Sequence, residues 1–234
     1  MKRILIALTS HAALGDTGQT TGNYLSELTH SYFVFEQAGY PVELASIQGG
    51  EPPVVEASIK LDDPYNKRFY ERADIVAALR NTPRIADLRA TDYQAIFLVG
   101  GHGAMWDFPR NGALLGLTSA IYEQGGVVSA VGHGSAALVN IRLEDGRFLV
   151  EGHEVTSFTN EEEQAEKTAQ IVPFSLEDKL AERGGRFKKA HKMQTNVVSS
   201  GRLVTGQNPA SAMGTAEVVV ALLAVQNDGA LCLD

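Results

Sequence analysis

The stretch VVSAVGHGSAAL, residues 127–138, runs from apolar and β-branched residues through a Gly-His-Gly turn into an alanine-rich segment. A strand-to-helix turn this abrupt holds the residue at its tip in a strained backbone, often with positive φ, over the first turn of the helix. In enzymes that tip is a Ser or Cys, but here it is Gly132, which has no side chain to react. Taken alone, the pattern predicts a glycine-rich anion-binding turn, a purely structural turn, or an active-site turn without its nucleophile.

Other runs along the chain are also apolar and continuous, and helical patterns separate them. This alternation is typical of a parallel sheet that is covered on both faces. We therefore predict an α/β fold, a flavodoxin-like sandwich with a mainly parallel central sheet and helices on both faces. Besides the run before Gly132, the predicted strands are residues 3–8, 41–47 and 93–101, and the predicted helices are residues 23–38, 114–124, 175–183 and 209–225.

The chain is predicted to form a single α/β domain over residues 1–225. Residues 51–92 are more polar and hold four of the eight prolines, so we expect a small inserted cap there, with a helical piece near residues 66–79. Residues 226–234 are predicted to be a loose tail. The second half is expected to add a hairpin of residues 147–150 and 154–158, and short strands near residues 186–190, 197–199 and 202–204.

The composition bounds the class of partner. The 234-residue chain has 20 Lys and Arg against 28 Asp and Glu, a formal net charge of −8. Such a charge disfavours nucleic acid and anionic membrane surfaces as partners. The single cysteine, Cys232, rules out a disulfide within the chain and fits a reducing compartment, so a cytoplasmic location is expected. No apolar run is expected to reach the ~20 residues of a membrane span, and we predict no membrane partner.

Polar or glycine-rich segments follow three predicted strands. In parallel sheets, ligands bind beyond the carboxyl ends of the strands. The segments are TSH at residues 9–11, GGHG at 100–103 and GHG at 132–134. Backbone N–H groups of the GGHG glycines could form an anion-binding nest, and His102 could contact a ligand or simply face solvent.

Acidic residues offer two further candidates, each with an ordinary alternative. Glu27 in the first long helix is either a solvated edge residue or, if burial raises its pKa, a proton donor. The run Glu161, Glu162 and Glu163 suits a helix N-terminus, although one member could orient a histidine. The six histidines lack HxH or HxxxH spacing, so no metal site is predicted, and no motif indicates a cofactor.

Six ordered segments together resemble a known family. They are RILIALTS (3–10), TGNYLSELTHSYFVFEQAGYPVELASIQGG (21–50), AIFLVGGHGAMWDFP (95–109), VVSAVGHGSAALVN (127–140), VTSFTNEEE (155–163) and GRLVTGQNPASA (201–212). This set is similar to the class I glutamine amidotransferase-like superfamily and, within it, to the PfpI intracellular-protease family that includes the parkinsonism-associated deglycase. The cap insert and the GQNPASA segment resemble its heat-shock chaperone and glyoxalase III branch.

The resemblance implies a Cys-His-acid triad with one member missing. In that family the turn reads Ala-Val-Cys-His-Gly, and a glutamate of the first long helix contacts the thiol. By position, Gly132 takes the nucleophile's place, His133 is the triad histidine and Glu27 is the helix acid. Glu163 is our choice for the third member, with Glu161 and Glu162 as close rivals. The N–H groups of Gly103 and His133 would form an anion hole, in a substrate-binding set of Gly101, His102, Gly103 and Gly134.

The resemblance also implies a cofactor-independent enzyme that converts methylglyoxal, or other small carbonyl compounds, to lactate-type products. Deglycase and chaperone activities are ascribed to the same branch, and homodimers are common in it. Because the thiolate performs the covalent step and glycine cannot, we expect this chain to be inactive or altered in that chemistry. Two alternatives are a hydratase or isomerase that uses Glu27 and His133 without a thiol, and a non-catalytic small-molecule sensor or chaperone-like binding protein.

Overall fold

Six strands form the central sheet of the protein, whose computed structural model describes residues 2–231. Their order across the sheet is β2-β1-β3-β4-β8-β7, and every neighbouring pair is parallel except β7 with β8, which is antiparallel. The predicted mainly parallel α/β sheet is therefore confirmed. The strands are β1 (Arg3–Leu8), β2 (Val42–Ser46), β3 (Tyr93–Leu98), β4 (Val127–Val131), β7 (Val197–Ser200) and β8 (Leu203–Gly206).

The side chains of the sheet alternate between two cores. On β1, Ile4 and Ile6 join one apolar cluster, whereas Leu5 and Ala7 join the other. Both faces need cover because adjacent residues of a strand point to opposite sides. Continuous apolar strands are the sequence signature of this arrangement.

Helices pack on both faces. Helices α1 and α8 contact each other and supply apolar residues to one core, together with α2 and α3. Helices α4, α5 and α7 lie with the opposite core. The helices are α1 (Leu25–Gln37), α2 (Pro64–Glu71), α3 (Ala73–Arg80), α4 (Ala104–Asp107), α5 (Gly112–Glu123), α6 (Asn160–Glu166), α7 (Leu176–Glu182) and α8 (Ala212–Leu231).

The predicted insert between β2 and β3 contains short helices rather than one long one. Where the sequence predicts a helix over residues 66–79, α2 ends and α3 begins at Arg72, whose backbone is extended. The Arg72 guanidinium bonds to Asp74 at 2.6 and 2.8 Å and to Glu36 at 3.2 Å, which holds this break on the flank of α1. Phe69 and Ile75 are buried in the core beneath α1, so much of the insert belongs to the body of the domain.

The predicted hairpin of residues 147–150 and 154–158 is wrong. Phe148 instead pairs with Arg142, because the Asp145-Gly146 turn reverses the chain immediately before it. A two-residue strand, β5 (Glu154–Val155), pairs in parallel with β6 (Arg186–Phe187). This pairing depends on residues far apart in the chain, which local patterns do not reveal.

The C-terminal helix corrects two expectations. It continues to Leu231, so the predicted loose tail is helical as far as that residue, and residues 232–234 lie outside the described part of the chain. The segment Pro209–Asn227 is also long and apolar enough to cross a membrane, with a mean hydropathy of 1.4, contrary to the expectation from sequence. In the fold, however, its inner face packs on the sheet through Ala212, Ala216 and Val219.

Candidate active site

The Gly-His-Gly turn leaves the carboxyl end of β4 at the centre of the sheet. Gly132 has φ of +50°, a region that favours glycine, and it begins a buried 3-10 helix, Gly132–Val139. A Cβ at Gly134 would collide with the carbonyl oxygen of Leu98, so the helix can approach β3 only without a side chain at this position. The strained tip that the sequence predicts is therefore present.

The carboxyl group of Glu27 lies against this tip. Glu27 is on α1 and is only 2% exposed. Its Oε2 accepts a hydrogen bond of 2.6 Å from the N–H of Gly100, and a Cβ built on Gly132 would lie 2.8 Å from its Oε1. Burial raises the pKa of Glu27 to about 8, against the smaller opposing effect of the Gly100 hydrogen bond. At neutral pH this side chain is therefore mainly a neutral acid that can donate a proton.

His133 and Glu163 form a buried pair next to the tip. His133 Nε2 is hydrogen-bonded to Glu163 Oε1, and Thr168 Oγ1 donates to Glu163 Oε2. Burial alone would raise the pKa of Glu163, but the nearby His102 and the hydrogen bonds from His133 and Thr168 outweigh burial and lower it. Burial, and then the neighbouring His102, lower the pKa of His133. The pair thus holds an ionised carboxylate and a neutral imidazole.

The structure separates the three consecutive glutamates. Only Glu163 reaches His133, whereas Glu161 is exposed in the first turn of α6. Glu162 is fully buried and completes a capping box with Thr159. A helix turns by about 100° per residue, so neighbours in one turn point in different directions. The spacing chosen from sequence for Glu163 therefore matches the geometry.

His102 stands beside His133 at the end of β3. The two ring centroids are 4.1 Å apart, and Phe158 packs against both rings. His102 Nε2 lies 3.5 Å from Glu163 Oε2, and it has no hydrogen-bond partner within the described residues. His102, His133 and Glu163 thus each direct one possible metal-ligand atom to the same place, all within 4.8 Å of one another. Spacing along the chain did not indicate this group, because the fold assembles it from three segments.

A cavity of about 990 Å³ opens over these residues. Its wall contains Glu27, Gly101, His102 and His133, so these four predicted site residues meet at one surface. The loop before α1, the cap insert and the loop after α6 complete it. Further lining residues include Leu14, Thr21, Tyr24, Val55, Glu56, Lys60, Phe158, Glu166, Thr168, Met193 and Pro209.

Two predicted substrate-binding residues do not line this cavity. Gly103 is the N-cap residue before α4, and a Cβ there would lie 2.5 Å from the carbonyl oxygen of His11. Gly134 is packed on Leu98, as described above. Gly101 and His133 do line the cavity. The anion hole at the N–H groups of Gly103 and His133 stays a prediction.

Sequence reasoning missed several lining residues. Tyr24 precedes α1, Lys60 lies in the cap insert, and Thr168 follows α6. Tyr24 lies in one of the six family segments but had no role assigned to it, and Lys60 and Thr168 lie outside those segments. For Thr168 the sequence did offer one indication. It lies five residues after Glu163, so its hydroxyl can reach the Glu163 carboxylate across little more than one helical turn.

The sequence also matches a known protein family and several of its members. Residues 20–222 match the model of the DJ-1/PfpI family. The chain belongs to this family. It is 32% identical to Glyoxalase 3 of Candida albicans over 94% of this chain and 98% of that protein. It is 30% identical to the Glutathione-independent glyoxalase HSP31 of Saccharomyces cerevisiae, over 92% of this chain and 95% of that one.

Solved structures of relatives share the whole fold. The Francisella tularensis Rapid Encystment Protein 24 KDa superposes with a TM-score of 0.92 at 37% identity, over 95% of this chain and 99% of that one. Crystalline glyoxalase III from Candida albicans gives a TM-score of 0.85 at 30% identity, over 94% and 97% of the two chains. The family resemblance and the α/β fold expected from the sequence are both confirmed.

Proposed function

We propose that this protein binds small reactive carbonyl compounds of the methylglyoxal type in the cavity over Glu27 and His133. It is a glyoxalase-type protein that lacks the thiol-dependent step. The observation that carries the proposal is the contact at the turn: the position of a Cβ on residue 132 lies 2.8 Å from the buried Oε1 of Glu27, beside the His133–Glu163 pair. The glyoxalase names of full-length relatives support the same substrate class.

The lost step follows from the side chain at residue 132. A thiolate attacks a carbonyl carbon and forms a covalent intermediate, whereas glycine offers no atom for this bond. Removing an activated nucleophile from such a site costs several orders of magnitude in rate. The chain's one cysteine, Cys232, lies outside the described residues.

A direct test is to measure lactate formation from methylglyoxal by the native chain and by Gly132→Cys. Restoration of the reaction by the single substitution supports the proposal. If Gly132→Cys is folded, carries one more reactive thiol than the native chain with its Cys232, and still forms no lactate, the assignment of residue 132 and of the carbonyl substrate is wrong.

A second candidate function is favoured by the protonated state of Glu27. A pKa of about 8 keeps a proton on Glu27 at neutral pH. The ionised Glu163 keeps a proton on His133 Nε2, which leaves the lone pair on Nδ1. An acid and a base that line one cavity can act together in general acid–base catalysis, which contributes ~10²–10⁴-fold in rate.

The reaction would be an isomerisation of hydrated methylglyoxal. His133 takes the proton from C1, the electron pair of that bond forms the C1=C2 double bond, and Glu27 protonates the oxygen on C2. His133 then returns its proton to C2, and a hydroxyl on C1 gives its proton back to Glu27. The product is lactic acid, an isomer of the hydrate, and no oxidant or nucleophile is consumed.

Glu27→Gln separates the two candidates. If proton transfer operates, the native chain forms lactate slowly, the rate falls as pH rises through about 8, and Glu27→Gln abolishes it. If the native chain forms no lactate above buffer, this second candidate is wrong. Saturable binding of the carbonyl without turnover in any variant would instead favour a sensor or chaperone-like binding protein. Dimerisation and a cytoplasmic location stay predictions.

A further inference from the structure

We infer that His102, His133 and Glu163 form a binding site for a divalent transition-metal ion such as Zn²⁺ or Co²⁺. One ligand atom from each side chain lies within 4.8 Å of the other two. All three come from segments at the carboxyl edge of the sheet: the loop after β3, the turn after β4, and α6. The metal site shares His133 and Glu163 with the carbonyl site proposed above, but it is argued from the placement of the three side chains and assumes no carbonyl substrate.

The donor set suits such an ion. Two imidazole nitrogens and one carboxylate oxygen match the His and Glu ligands of open zinc sites, which leave a fourth position for water. With metal–ligand bonds of 2.0–2.2 Å, ligand atoms of a tetrahedral site lie about 3.3 Å apart. His102 Nε2 and Glu163 Oε2 are already 3.5 Å apart, and His133 Nε2 contacts the other oxygen of the same carboxylate. Only a small rearrangement is needed for the ion to replace the proton between them.

The unpaired nitrogen of His102 indicates a missing partner. Its Nε2 is inaccessible to solvent and has no hydrogen-bond partner among residues 2–231. A buried polar atom left unpaired costs about 1–3 kcal/mol, so such atoms are rare. A metal ion between the three side chains would give this nitrogen a partner.

The surroundings would hold the ligands in place. Thr168 Oγ1 donates a hydrogen bond to Glu163 Oε2, and Phe158 packs against both imidazole rings. Outer contacts of this kind fix the orientation of metal ligands. The charges nearby also favour a cation, because Glu56 and Glu166 line the cavity and Lys60 is the one basic side chain among its described lining residues, apart from the histidines.

The test uses Co²⁺ as an optical probe on the full-length chain, freed of tags and treated with a chelator. We expect one equivalent of Co²⁺ to produce the visible absorption of four-coordinate cobalt, and one equivalent of Zn²⁺ to remove it. His102→Ala should weaken binding by more than the roughly 10- to 100-fold that loss of an outer partner costs. Thr168→Val, which removes the hydrogen bond to Glu163, should weaken Co²⁺ binding only by that smaller factor.

His191→Ala is the matched control, since His191 is exposed and outside the group. His102→Asn, checked for folding by circular dichroism, guards against loss of binding through misfolding. The inference is overturned if no cobalt absorption develops, or if His102→Ala binds Co²⁺ as tightly as the native chain. No substrate enters these measurements, so their failure leaves the proposed carbonyl chemistry untouched.

Discussion

The carboxyl group of Glu27 occupies the space next to residue 132: its Oε1 lies 2.8 Å from the point where a Cβ on Gly132 would sit. The acid therefore faces a position that has no side chain. Because Glu27 is also 2% exposed and bonded to the N–H of Gly100, it cannot turn to solvent without opening the turn.

Glu27 makes the protein less stable as pH rises. Its pKa is about 8 in the folded state and about 4.3 when unfolded, so between these values only the folded state binds the proton. The contribution of Glu27 to the free energy of unfolding is fully present below pH ~4.3. It falls by about 1.4 kcal/mol per pH unit above that and levels off above pH ~8.

Glu27→Gln should remove that slope, since glutamine stays neutral and its carbonyl oxygen can still accept from Gly100. We expect the native chain to lose about 2–3 kcal/mol relative to Glu27→Gln between pH 6 and pH 9, measured by urea unfolding at each pH. Parallel pH profiles for the two proteins would show that Glu27 is ionised at neutral pH.

A side chain at residue 132 should be tolerated at a moderate cost. Gly132→Ala places a Cβ at φ of +50°, which costs about 1–2 kcal/mol, and brings it into close contact with Glu27. Gly39→Ala is the control, because Gly39 also has positive φ but a Cβ there meets no atom within 4 Å. Thermal or urea unfolding should show Gly132→Ala to be the more destabilising by about 1 kcal/mol. Equal costs would mean that the contact with Glu27 has no energetic effect.

Replacement of the acid that holds His133 should destabilise the protein near neutral pH. Glu163→Gln removes a buried, charge-assisted hydrogen bond and should cost about 2–3 kcal/mol at pH 7. Since the pKa of Glu163 is lowered by folding, its contribution is present above pH ~4.3 and is lost as pH falls towards the folded value. The gap between native chain and variant should therefore narrow below pH 4. Glu161→Gln, exposed on the same helix, should change stability by less than about 0.5 kcal/mol.

Glu162 holds the rear of the site together. Its Oε2 accepts from the backbone and hydroxyl of Thr159, and its Oε1 accepts from the N–H of Met193 and from the amides of Gln207 and Asn208. Glu162→Gln turns one acceptor into a donor that faces other donors. We expect a loss of about 3 kcal/mol and faster proteolysis near Met193, which lines the cavity. An effect no larger than that of Glu161→Gln would contradict this role.

Much of the fold could be predicted because its signals are local. The apolar run of β1, the tight turn at Gly132 and the helix around Glu27 are each visible within a few residues. The family pattern also indicated Glu163, whose carboxylate contacts His133 in the structure. What failed depends on distant partners: the pairing of β5 with β6, and the helix break that Glu36 stabilises at Arg72. The group of possible metal ligands, His102, His133 and Glu163, could not be predicted from spacing along the chain, because its members come from three separate segments.

The central claim is that residue 132 stands where a nucleophile would act on a small carbonyl compound bound beside Glu27 and His133. Its most direct test is the rate of lactate formation from methylglyoxal by Gly132→Cys relative to the native chain. Gly39→Cys controls for a new thiol outside the cavity, and the double variant Gly132→Cys with His133→Ala controls for the site.

We expect Gly132→Cys to exceed the native rate by at least about 100-fold, since loss of an activated nucleophile costs several orders of magnitude, with no gain in either control. A folded Gly132→Cys protein that has one more titratable thiol than the native chain, which contains Cys232, and that works only at the native rate would contradict the account.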